Sequence, residues 1–386
     1  NGNADQTIRA SYAGKELDEP GLHVGRIFAS SKGKGRSGNA AYDFEIVVTV
    51  VTPYTFGPKE GYTRSWQGRT LQAGGVEHYF LRIPAGATAM HAKLEIPQGK
   101  EGLAWPVFYD NVGHERGYFR GVADSRGERS VEYDFSGEDL TPGVWELVAR
   151  GSRSQARSSV YDLRVDFSAF AAEPASIESM DFDAPASSPT TKLTITPLFD
   201  DVFIGRFVGS IDSYRRERKI EVKNDDEWSY QFELSADVPS VDFELEMSRE
   251  VYNLMTDIPV NIYDSSGKAV VVDGFNQRDL RIGLHNASPG SYTLRVDAGF
   301  AMAKDEADWG FDLTEDFHLA KRVRLEGKVR DKSRFRVYPE AQLPVEVSAD
   351  GTPPMAPDGF VNSGALNLLD SADDAVKLKI PVRLSR

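Results

Sequence analysis

The tightest constraint on this chain is an ordered set of three short segments that occurs twice. Residues 76–84 (VEHYFLRIP), 106–113 (PVFYDNVG) and 140–151 (LTPGVWELVARG) are followed, in the same order, by 228–236 (WSYQFELSA), 259–267 (PVNIYDSSG) and 287–299 (ASPGSYTLRVDAG). Each segment has a mechanical reading. In Pro142-Gly143 and Pro289-Gly290 the proline fixes φ and the glycine takes a backbone conformation other residues avoid, which makes a turn. The strand that follows puts Trp145 and Leu147, or Tyr292 and Leu294, on one face. Asp110 and Asp264 each end a strand where a carboxylate can accept backbone N–H bonds and close a hairpin. The spacing between the segments differs, so an internal duplication is expected with loops of different length.

Between and around these segments the dominant hydrophobic period is two, as in Val241, Phe243, Leu245 and Met247, which lines one strand face with apolar groups and leaves the other polar. Strands are expected over 42–52, 77–83, 92–96, 144–149, 160–167, 192–197, 229–234, 241–247 and 292–296, separated by Pro, Gly, Asn and Asp clusters. This pattern predicts an all-β protein of tandem β-sandwich, jelly-roll or immunoglobulin-like domains rather than a parallel α/β sheet. At 386 residues more than one core is expected. The boundaries read as 1–56, strands completing an immunoglobulin-like sandwich that continues from an upstream region; 57–172, a first jelly-roll-like sandwich; 173–226, linker and crossover strands; 227–300, a second jelly-roll-like sandwich; and 301–386, a C-terminal β region packing on the second sandwich. The proline-bearing stretch 171–191 marks the main division.

Composition narrows the partners. A net charge of −14 repels phosphate backbones, so nucleic acid is not expected. No stretch approaches the roughly 20 apolar residues of a helical membrane span. The sequence has no cysteine, which removes disulfides, thiolate catalysis and cysteine-bound zinc and leaves the compartment open.

Motifs that would carry chemistry resolve to local structure. Residues 264–267 (DSSG) are one residue too long for the D-[ST]-G surroundings of a subtilase aspartate and read as a turn. Residues 123–127 (ADSRG) carry alanine where a nucleophile elbow needs glycine. Residues 33–38 (GKGRSG) fit G-x-G-x-x-G but lead into a strand instead of a helix, so a hairpin loop is expected. The histidines at 23, 78, 91, 114, 285 and 318 show no metal-binding spacing. The basic clusters 215–219 and 321–336 read as solvent faces of strands. The acidic run 305–316 reads as a solvated loop with Trp309 and Phe311 turned inward. No catalytic, cofactor-binding or metal-ligating residue is assigned, and no cofactor is expected. Tyr118, Phe119 and Trp66 would be the stacking aromatics of a carbohydrate- or peptide-binding module, the alternative reading.

Four stretches in order resemble the tripeptidyl peptidase II family behind its subtilisin-like catalytic domain: 8–27 (IRASYAGKELDEPGLHVGRI) leading into the apolar 44–51, then 78–88 (HYFLRIPAGAT), 279–296 and 343–366. The resemblance runs over about residues 6–384. It implies a serine peptidase that trims short peptides from free N-termini and forms large oligomers, with its Ser-His-Asp triad upstream of the residues matched. On that basis the chain is expected to be a non-catalytic region, not an enzyme by itself. It would brace the protease domain, with that domain, further copies of itself and the peptide substrates as partners. The family likeness implies a cytoplasmic protein, whereas a bacterial source would place it in the periplasm or outside the cell.

Overall fold

The computed structural model describes residues 17–29, 44–117, 122–123, 129–153, 158–182, 189–200, 202–223, 227–300 and 308–385. They form an all-β protein of antiparallel sheets around three hydrophobic cores.

The first core lies between two sheets. One orders Val76–Arg82, Val144–Gly151, Leu103–Tyr109 and Glu115–Arg116; the other orders Thr63–Leu71, Ser159–Ser168, Ala89–Glu95 and Ser130–Ser136. Trp145, Leu147, Leu163, Val165 and Phe167 fill the space between, each at most 1% exposed. A second sandwich repeats this order. Glu227–Leu234, Gly290–Asp297, Pro259–Asp264 and Ala269–Gly274 form one sheet. Opposite them lie the end of Phe203–Val222, the start of Trp309–Val329, Ser240–Glu246 and Asp279–Leu284. Both are jelly rolls, and the duplication read from the sequence is a duplication of strand order.

The turns match bond for bond. Asp110 Oδ1 accepts from Val112 N (3.0 Å) and His114 N (2.9 Å); Asp264 Oδ1 accepts from Ser266 N (2.9 Å) and Lys268 N (3.1 Å). Gly113 and Gly267, at φ 88° and 80°, take the left-handed position that such a turn needs. Gly143, at φ 131°, takes the conformation expected after its proline, whereas Gly290 does not and simply opens its strand; after each Pro-Gly pair the aromatic side chain reaches back four residues, Trp145 Nε1 donating to Thr141 O (2.8 Å) and Tyr292 OH to Ser288 O (2.7 Å).

The third core is enclosed by a nearly closed barrel. Its strands run Phe170–Glu173, Thr190–Pro197, Leu343–Ala349, the end of Trp309–Val329, the start of Phe203–Val222, Val361–Asp370 and Val376–Leu384. Ile177 then bonds back to the last strand, its N–H to Pro381 O (2.8 Å) and its C=O from Arg383 N (2.9 Å). Two strands, 20 and 21 residues long, therefore belong to two cores at once. Between Ile211↔Val323 and Ser213↔His318 their register jumps, and residues 319–322 bulge opposite Asp212. The bulge resets the inward row: Phe311, Leu313 and Phe317 face the second jelly roll, whereas Val323, Leu325 and Val329 face the barrel. Inside the barrel, a Cβ on Gly327 would stand 2.7 Å from Phe207 Cβ, so only glycine lets the two strands close there.

Candidate functional site

The second jelly roll holds an ionic group within its core. Glu315 is 0% exposed. Its Oε2 accepts from Arg216 Nε (2.7 Å) and Arg218 Nε (2.8 Å), and its Oε1 from Arg216 Nη2 (2.9 Å). Arg216 also donates to Tyr230 OH (2.9 Å) and stacks 4.2 Å over Phe360, while Arg218 stacks 4.5 Å over Tyr230. Arg216 and Arg218 were expected on a solvent face. They point inward because Glu315 stands opposite them, and a buried carboxylate without two cations would be prohibitive.

Ionic joints tie the three bodies together. Between the jelly rolls, Arg116 bridges Asp110 Oδ2 (2.9 Å) and Asp279 Oδ2 (3.0 Å), His114 Nδ1 lies 2.5 Å from Asp279 Oδ1, and Gln277 Oε1 accepts from Glu115 N (2.9 Å). Burial disfavours the Asp110 charge, but the His114 and Val112 N–H groups and Arg116 outweigh it and hold that carboxyl below its usual range. Between the first jelly roll and the barrel, Asp134 Oδ1 accepts from both His91 Nδ1 (2.9 Å) and Val376 N (3.2 Å), Thr88 Oγ1 donates to Lys377 O (3.1 Å), and Arg383 pairs with Glu138 (2.9 Å). Burial works against a charge on His91, yet Asp134 prevails and raises its pKa.

Where the bodies meet, a groove of about 1130 Å³ opens. On its wall one carboxylate holds two imidazoles: Asp242 Oδ2 lies 2.8 Å from His318 Nε2 and Oδ1 lies 3.2 Å from His285 Nε2. Asp242 raises the pKa of His318. Burial pushes the neighbouring Asp316 carboxyl up, against the pull of Arg215 3.1 Å away. In a Ser-His-Asp triad the aspartate holds Nδ1 and leaves Nε2 to the nucleophile. Here both Nε2 atoms face the aspartate instead, which is not the arrangement of a triad.

The motif residues distribute as follows. His23 bonds Glu19 O (2.9 Å) and His78 bonds Glu146 (2.6 Å). The 264–267 segment is the Asp264 turn. Residues 33–38, 118–119 and 124–127 lie outside the described residues. Trp66, expected as an exposed stacking aromatic, is half-buried against Tyr54 and Tyr79, with ring centroids 5.0 and 4.8 Å away. The acidic run is a strand from Trp309 onward, with Trp309 and Phe311 both 3% exposed. Among the described residues no group of three or more His, Cys, Asp or Glu side chains could hold a metal ion. Sequence reading missed the joints because their members lie far apart in the chain; the one available signal was that His114 and Arg116 follow the Asp110 turn directly.

No family model matches the sequence. Pyrolysin from Pyrococcus furiosus is 23% identical over 341 residues, 84% of this chain and 21% of pyrolysin. A crystal structure of tripeptidyl peptidase 2 aligns with 95% of the chain at a TM-score of 0.54 and 13% identity. The region is tripeptidyl peptidase II-like. That structural likeness concerns the fold, and the chain spans about a third of the tripeptidyl peptidase 2 chain (33%) and about a fifth of pyrolysin (21%).

Proposed function

We propose that this chain is the non-catalytic bracing region of a tripeptidyl peptidase II-type serine peptidase, contributing to its assembly and to substrate access. The observation that carries the reading is mechanical: two strands of 20 and 21 residues run unbroken from one core into the next, and a part-buried ion pair, Arg116–Asp279, and an exposed one, Arg383–Glu138, join the remaining body to both. Such a body transmits position, because packed cores and continuous strands deform little. The ribbon of Gly21–Ala29 and Phe44–Thr52 fits the same role. Leu22, Val24, Phe28, Val47 and Val51 share one of its faces and are 40–56% exposed. A two-stranded hairpin is marginal alone, and we assign its cover to strands of a longer polypeptide.

The test is hydrolysis of a fluorogenic peptide amide with a free N-terminus by the purified chain. The reading expects no turnover above buffer. Turnover abolished by a substitution at Asp242 or His318 would overturn it.

A further inference from the structure

One basic stretch of the sequence has no task in the joints. Residues 321–336 (KRVRLEGKVRDKSRFR) hold eight Lys and Arg against two acids, in a chain of net charge −14. They run down the barrel along the end of Trp309–Val329 and through Arg334–Val337. Arg322, Arg324 and Arg334 line the large groove, and Arg334 also borders, with Arg336, a smaller cavity of about 620 Å³. Other cations of the groove are matched: Arg215 with Asp316, Arg281 with Glu244, Lys328 with Glu326 and Arg383 with Glu138. Arg322, Arg324 and Arg334 are exposed and pair with no carboxylate among the described residues. Two carboxylates of the groove also lack a cation, but each already has a donor: Asp212 accepts from Ser210 Oγ (2.7 Å) and Asp350 from Arg324 N (2.8 Å). Beside the arginines runs the outward row of the first long strand, where Val202, Ile204 and Val208 are 59, 48 and 43% exposed.

We propose that this strip binds an extended acidic segment of polypeptide, its carboxylates on the arginines and its apolar side chains on Val202, Ile204 and Val208. A guanidinium group takes a carboxylate through two parallel N–H bonds, which suits arginine to this task. Arg322 and Arg324, and again Arg334 and Arg336, stand two residues apart on strands, a same-face repeat of about 6.7 Å. An extended peptide with an acid at every second position repeats that distance. Nucleic acid fits less well. Asp212, Asp242, Asp316 and Asp350 stand along the same groove, where a continuous phosphate backbone would meet them. Among the described residues, moreover, no exposed aromatic ring lines the larger groove for a base to stack on. The assignment rests on the role in substrate access proposed above and names the substrate class: acidic, unfolded polypeptide.

Fluorescence anisotropy with the 386-residue chain tests it. The probes are a fluorescein-labelled peptide of about 12 residues alternating Glu and Val, which spans ~40 Å when extended, its Lys-Val counterpart, a peptide of the same composition with Glu and Val in separate blocks, and an oligothymidylate of similar charge. The alternating Glu-Val peptide is expected to bind best, and more weakly as salt rises, because exposed charges are screened. Arg322→Glu, Arg324→Glu and Arg334→Glu together should lower its affinity by roughly tenfold or more and let the Lys-Val peptide bind instead. These side chains are exposed and unpaired, so the fold should survive, which thermal melting checks. Arg322→Gln with Arg334→Gln, which adds no new charge, should give a smaller loss of the same sign. Failure of the Glu-Val peptide to bind at low salt, binding that no variant changes, or equal binding of the block peptide overturns the assignment. Tighter binding of the oligothymidylate also overturns it and would mark a general polyanion site. Each of those failures leaves the bracing role standing, whereas hydrolysis of the bound peptide would remove the non-catalytic role and keep the site.

Discussion

The two jelly rolls share strand order, turn bonds and inward rows, yet one core is apolar where the other is ionic. The registers align Leu163, Val165 and Phe167 with Leu313, Glu315 and Phe317, since each set pairs across to the same positions of the next strand, Leu94, Ala92 and Met90 or Leu245, Phe243 and Val241. Val165 and Glu315, both 0% exposed, therefore occupy one site. On the other side Arg64 and Trp66 stand where Arg216 and Arg218 stand. Tyr79 and Tyr230 also correspond: the first joins Tyr161 OH (2.7 Å), which donates to Glu77, and the second joins Arg216. The difference teaches that turns and the alternating inward row specify this fold. A core position tolerates a carboxylate when both facing residues supply guanidinium groups. The outward positions diverge in the same manner: His91 with Asp134 in one copy, Asp242 with two histidines in the other.

The comparison breaks most visibly at Glu315. Glu315→Ala leaves two half-buried arginines without their carboxylate, and urea unfolding should show a loss of about 3 kcal/mol. Glu315→Val with Arg218→Trp copies the apolar copy's Val165 and Trp66 and should recover most of that loss. A double variant as unstable as the single one would show that the two cores are not interchangeable. Next in size is the Asp turn. Asp110, 4% exposed, holds two N–H groups and Arg116, so Asp110→Ala should cost about 1–3 kcal/mol and loosen the joint, seen as faster hydrogen exchange at residues 112–116 and 277–279.

The histidine pairs set a smaller, pH-dependent effect. His91 and His318 have raised pKa values in the folded protein. Their contribution is full below the unfolded value near 6.5 and fades as pH rises through the folded values. Stability should therefore fall from pH 6 towards pH 9 by less than ~1 kcal/mol per pair, and His91→Gln with His318→Gln should flatten that slope in thermal melts. An unchanged slope would place the titration elsewhere. Smallest is Asp264→Ala, the exposed counterpart of Asp110, expected to fray its own turn in amide exchange while leaving global unfolding nearly unchanged.

Much of this architecture could be read from residues alone because the turns are written locally. Asp110 and Asp264, Pro142-Gly143 and Pro289-Gly290, and the rows ending in Leu245 and Met247 announce strands and hairpins without distant partners. The two long strands were not legible, since Gly205, Gly209, Ser210, Asp212 and Ser213 interrupt the apolar pattern and the 319–322 bulge shifts it. Arg216 and Arg218 read as a wetted strand face and Glu315 as part of a solvated loop, because the carboxylate and the guanidinium groups explain one another only across about a hundred residues of chain. The joints share that property: Arg116 and Asp279 meet only after both jelly rolls have formed.

The function proposed depends on the second jelly roll and the barrel acting as one stiff piece. Native-state hydrogen exchange along Phe203–Val222 and Trp309–Val329 measures this most directly. The account predicts that amides on both sides of the Asp212 bulge open together, with the same free energy and the same denaturant dependence. Two separate opening free energies, dividing at residues 319–322, would contradict it and reduce the shared strands to a hinge.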